Sequence, residues 1–151
     1  MNTVSNTLHN KLQTLICFYR QITKGLDTVA EEVDNTNLKT AIKALAIESK
    51  QYAKEIIDQL KHFNITIAPD YTDKFWKEIE KNINEHGGIE KGGEIAILCK
   101  NCEIYFTKFY EDILQEYFQT NNLKDIIIYQ LYATQCALMK IKLLNTMRFK
   151  Q

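Results

Sequence analysis

The chain has 151 residues, is 45% apolar and 25% charged, and balances 19 basic against 19 acidic side chains. That length suits one domain, residues 1–151, with a core of its own. Zero net charge argues against a broad electrostatic footprint for nucleic acid or for an anionic membrane.

The first residues, MNTVSNTLHNKLQTL, lack the basic start and apolar run of a secretory signal. The apolar runs at 96–99 and 126–129 fall far short of the roughly 20 residues that span a bilayer. Four cysteines without such a signal read as reduced thiols, so the expected compartment is the cytoplasm.

In chain order, Leu8, Leu12, Leu15, Tyr19, Ile22, Leu26, Val29 and Val33 alternate in steps of four and three, the seam of a bundle helix. Gly25 interrupts that seam and is either a close helix–helix contact or a tolerated weak spot. Asp34-Asn35-Thr36-Asn37 supplies a turn and an N-cap. A second helix follows, with Leu38, Ile42, Leu45, Ser49, Tyr52, Ile56 and Phe63 on its stripe, Glu48 beside Ser49 and Glu55 beside Ile56. So short a turn makes these two helices antiparallel neighbours.

Residues 64–71 carry no helical period and hold the single proline, Pro69. Thr72 or Asp73 then caps a short helix to about Glu85, with Phe75, Trp76, Ile79 and Ile83 as its apolar side, and Gly87-Gly88 ends it. A connection of this length runs the length of a bundle, so the second and third long helices are expected to be parallel.

The third long helix is expected over Glu94–Gln119, with Ala96, Cys99, Glu103, Phe106, Tyr110, Ile113 and Tyr117 on one face. Glu103 is the one carboxylate there, and a buried carboxylate is costly unless a metal, a cation or several hydrogen bonds hold it. A tight turn at Thr120-Asn121-Asn122 leads to a fourth helix with Ile127, Gln130, Leu131, Thr134, Ala137, Leu138, Ile141 and Leu144 inward. The expected fold is all-α: a four-helix bundle of two antiparallel hairpins joined by a long crossover that carries a short extra helix.

The hairpin YRQITKGLDTVAEEVDNTNLKTAIKALAIESKQYAKEI carries a resemblance, as do the short helix with Phe75 and Trp76, the Glu103-to-Tyr110 spacing, and Gln130 in the fourth helix. Over roughly Leu8 to Leu144 the chain resembles an uncharacterised bacterial family of ferritin-like four-helix bundles, a domain of unknown function. That resemblance implies a ferritin-like fold and a relation to carboxylate-bridged metal proteins; it brings no activity with it.

A dinuclear iron or manganese centre in such a fold takes a Glu from each of two helices and Glu-x-x-His from each of the others. Here Glu48 is followed three residues on by Gln51, Glu55 by Asp58, Glu103 by Phe106 and Glu111 by Leu114. No glutamate has a histidine at that position, and Leu138 stands where the resemblance places one. The remaining candidate ligands are Glu48 and Glu103, with Gln51 and Gln135 as weak oxygen donors. The bland alternative sets Glu48 on a solvated helix edge and satisfies Glu103 with a lysine or with a hydroxyl from Tyr19, Tyr52 or Tyr110.

Cys99-Lys-Asn-Cys102 lies inside a helix without a second such pair, which favours core packing over zinc or redox chemistry, as for Cys17 and Cys136. Gly87-Gly88 and Gly92-Gly93 follow no strand, so no phosphate loop is present, and three scattered histidines supply no nucleophile–base pair. The reading is a non-enzymatic cytoplasmic bundle acting by protein contact, expected to be a homo-oligomer, with no cofactor and no nucleic-acid or membrane partner. Phe18, Tyr105, Phe109 and Phe118 are its candidate interface aromatics. The other reading is a metal-binding ferritin-like oxidase or storage protein using iron or manganese at Glu48 and Glu103.

Overall fold

The computed structural model describes residues 4–68 and 72–150; Pro69 and the two residues after it lie outside them. Among the described residues the chain is all-helical, with α1 over Asn6–Glu31, α2 over Thr36–Lys61, α3 over Lys74–His86, α4 over Gly93–Leu114 and α5 over Asn121–Met147. Local chemistry sets the starts of the first two. The Ser5 hydroxyl accepts from the Leu8 amide at 3.1 Å and Asn35 Oδ1 from the Leu38 amide at 3.0 Å, each satisfying a donor that the first helical turn leaves orphaned.

The four long helices touch in a ring, α1 against α2, α2 against α5, α5 against α4 and α4 against α1. Side-chain pairs give their directions. Lys11 near the start of α1 donates to the Asp112 carbonyl and the Glu116 carboxylate, while Phe18 further on meets Phe106. Glu31 at the end of α1 pairs with Lys43 near the start of α2, and Tyr19 meets Tyr52. Both α2 and α4 therefore run opposite to α1 and parallel to each other. Asn145, late in α5, donates to the Gly92 carbonyl at the start of α4, so α5 runs opposite to α4.

Helix α3 lies outside the ring, on α1 and α4. Asp73 precedes it but makes no side-chain cap. The acceptor comes from another helix: Gln21 Oε1 takes the amides of Phe75 at 2.8 Å and Trp76 at 3.1 Å. Beneath α3, Phe18, Phe75, Tyr105 and Phe109 form a cluster with ring centroids 5.1–5.7 Å apart, and the indole of Trp76 rests on Gly25. Gly25 is thus a close contact. A Cβ there would lie 2.2 Å from the Trp76 ring.

Gln21→Leu removes the acceptor of two amides at once and is expected to cost about 1–3 kcal/mol. Trp76 is the one tryptophan of the chain, so loosening of α3 reads out as a red shift of its fluorescence alongside a lower urea midpoint. An unchanged midpoint would show that α3 does not depend on this cap.

Three expectations need correction. The third long helix ends at Leu114 rather than Gln119, because Tyr117 stands in water at 83% exposure and gives the periodic face no core to meet. Its buried line runs through Ile95, Leu98, Cys102, Phe106, Phe109 and Ile113, with Cys99 and Tyr110 beside them. Because α4 packs on α1, α3 and α5, its buried sector is wide and turned away from Ala96 and Glu103, which are exposed. Finally, the candidate interface aromatics are not outward-facing: Phe18 and Phe109 are buried and Tyr105 and Phe118 partly so, the first three of them in the cluster under α3.

Candidate functional site

At mid-height inside the ring each long helix supplies one member of a hydrogen-bonded chain. Gln130 Nε2, on α5, donates to the Tyr52 carbonyl of α2 at 3.2 Å. A carbonyl can only accept, so this bond fixes the amide orientation and leaves Oε1 to accept from the Tyr110 hydroxyl of α4 at 3.0 Å. With the Tyr110 proton committed, the Tyr19 hydroxyl of α1 is the donor in the direct Tyr19–Tyr110 contact. The order is Tyr19 to Tyr110 to Gln130 to Tyr52, with every proton assigned.

Tyr19, Tyr110 and Gln130 are fully buried. Thr134 and Ser49, also buried, return their hydroxyl protons to carbonyls of their own helices. Burial pushes the Tyr19 phenol well above its usual range, and the neighbouring Tyr110 adds to this; burial likewise raises Tyr110. Tyr52 is pushed up to about 12 by burial first and then by Glu48. All three phenols are neutral near pH 7, so the Tyr19–Tyr110–Gln130 chain is an uncharged network.

A pH prediction follows from the sign of these shifts. Below pH 10 both folded and unfolded chains hold the phenolic protons, so the tyrosines leave stability unchanged, while the buried Cys99 and Cys102 thiols begin the loss from about pH 8.5, where the unfolded chain first releases thiol protons. Above pH 10 the unfolded chain releases the phenolic protons while Tyr19 and Tyr110 keep theirs, so stability falls by about 1.4 kcal/mol per pH unit for each. Urea midpoints at pH 9 and pH 11 check this; equal midpoints would contradict the buried placement.

The candidate metal ligands are not part of this centre. Glu48 is half-buried, its carboxyl raised by desolvation and partly restored by Lys140 of α5. Glu103 is half-exposed and held by Lys142, the lysine alternative for that carboxylate. Gln51 and Gln135 are exposed. Among the described residues no three histidine, cysteine, aspartate or glutamate side chains gather in a way that could hold a metal ion.

Cys99 and Cys102 are buried, and burial pushes the Cys99 thiol up to about 12 and Cys102 higher still, the reverse of what a metal-binding or redox thiolate needs. Cys17 is buried as well, whereas Cys136 departs from the core reading and is exposed.

The surface holds what the periodicity of the core stripe conceals. Helix α5 is apolar on two opposite sides. Its inner side runs through Leu123, Ile127, Leu131, Thr134, Leu138 and Ile141. Its outer side runs through Tyr129, Tyr132, Cys136, Met139, Leu143 and Met147, again in steps of three and four. Tyr129, Tyr132 and Met139 are each 63% exposed, Met147 60% and Leu143 58%. The spacing was visible in the sequence; choosing one stripe as the core hid the second.

Among the described residues no helix is long and apolar enough to cross a membrane. No protein-family model, no curated protein and no solved structure matches the chain.

Proposed function

We propose that the protein is a ferritin-like four-helix bundle, two antiparallel hairpins joined by a crossover carrying α3, that acts by protein contact in the form of self-association. Two features support the reading. The interior is closed by a neutral Tyr19–Tyr110–Gln130 network, where a metal-dependent relative of this fold would set its carboxylates and histidines. The outer side of α5 keeps a continuous apolar row in water. A helix apolar on both sides is normally covered on both, and a row of this size exceeds the scattered single apolar side chains of an ordinary surface. The α5 row is the observation that carries the proposal.

Light scattering across a concentration series tests it. The expected mass exceeds the 17.7 kDa of one chain and falls toward it on dilution. One chain's mass throughout would refute self-association. Stoichiometric iron or manganese, lost in Glu103→Ala, would replace the reading with a metal-binding one.

A further inference from the structure

We infer that two copies of the chain pair through the outer face of α5 in an antiparallel, two-fold arrangement with Cys136 on the axis. The inference deepens the self-association reading and rests on it.

The spacing of the row is self-complementary. When one α5 is laid against a second running the opposite way and centred on Cys136, Tyr129 is level with Leu143 of the other copy, and Tyr132 and Met139 lie within one residue of each other's level. These four large apolar side chains meet one another across the two-fold axis, as an isologous interface requires, while Met147 falls level with Asp125. The size fits as well. With Tyr129, Tyr132, Met139, Leu143 and Met147 each more than half exposed, the row presents on the order of 500 Å² of apolar surface, so two copies that bury it fully remove about 1,000 Å² in all, where specific interfaces begin.

Charge selects the direction. The C-terminal part of α5 and the residues after it carry Lys140 and Lys150, while Asp125 is exposed on the same face one turn before Tyr129; Lys124 and Arg148 each lie about 120° round the helix from Cys136, off that face, with Arg148 over its own Phe149 ring. Parallel pairing would set the basic ends side by side. Antiparallel pairing sets Asp125 beside the basic end of the other copy and opposes the helix dipoles favourably. Lys142 does not disturb this, since Glu103 of its own chain engages it. Between the ends, Lys140 falls level with Tyr132 rather than with a second cation.

A thiol cross-linker with a reach of about 8 Å matches the spacing of two packed helices. Cys136 is the exposed thiol, the other three being buried, so the native protein is expected to give a covalent dimer that Cys136→Ser abolishes. Direction is read in the Cys136→Ser background. A mixture of Tyr132→Cys and Met139→Cys copies is expected to cross-link, and each alone is not, because its own residue lies on a different level of the partner. Met139→Glu, an exposed position, is expected to lower the mass at a given concentration to one chain's without loss of helicity.

A dimer that Met139→Glu leaves intact, or Tyr132→Cys cross-linking to itself, would overturn the antiparallel arrangement while leaving self-association standing. A single-chain mass at every concentration would overturn both, and a single chain that binds anionic phosphatidylserine vesicles through this face would assign the row to lipid instead.

Discussion

Gln130→Ala is expected to destabilise the protein by about 3–5 kcal/mol, a large part of the 5–15 kcal/mol typical of a domain. Two costs add. Gln130 is fully buried, so truncation leaves a cavity. Among the described residues it is also the acceptor of the committed Tyr110 proton, so the change strands a buried hydroxyl and, with the rotor freed, unsettles Tyr19 behind it. The control isolates the second cost. Replacing the whole chain with apolar groups, Tyr19→Phe with Tyr110→Phe and Gln130→Leu, leaves no polar side chain stranded. This triple variant is expected to be more stable than Gln130→Ala despite its greater number of changes. Urea midpoints decide it. A triple variant weaker than Gln130→Ala would mean that the network contributes more than the satisfaction of its own members.

Gly25→Ala is expected to lower stability by about 1–3 kcal/mol, although the same change in an exposed helix interior raises it by roughly 1 kcal/mol. The new Cβ would fall 2.2–2.4 Å from three atoms of the Trp76 indole. A rigid ring cannot yield there without lifting α3 off the Gln21 cap and the aromatic cluster below it. The substitution should therefore red-shift Trp76 fluorescence, and Trp76→Ala should relieve most of the added cost. Stabilisation by Gly25→Ala would show the indole free to move aside.

Much of the helical content was legible because long three-four alternations leave little choice. The seam of α1 from Leu8 to Leu26 is buried as its spacing implies. The Asn35 cap lies in the turn segment that its composition marks. Periodicity failed on α4 for a physical reason. A helix in contact on three sides buries most of its circumference, so several lines of residues fit a core stripe and spacing alone does not distinguish the line containing Glu103 from the buried one. Glu103 consequently drew a metal reading that its place beside Lys142 does not support.

Long-range partners were beyond pattern. Nothing near Gln21 announces that its amide caps a helix more than fifty residues away, and nothing near Gly25 names Trp76 as the ring above it. Gln130 was different: a glutamine among Ile127, Leu131 and Thr134 on an inward stripe stands out, and the buried tyrosines that need an acceptor were visible on the other helices.

The most direct measurement on the outer face of α5 is the alkylation rate of Cys136 against protein concentration. In a single chain Cys136 is exposed while Cys17, Cys99 and Cys102 are buried, so one thiol reports the face. The expected result is a rate that falls as concentration rises, with the other three thiols unreactive until the protein unfolds. A Cys136 rate that stays constant from micromolar to millimolar protein would contradict contact through this face.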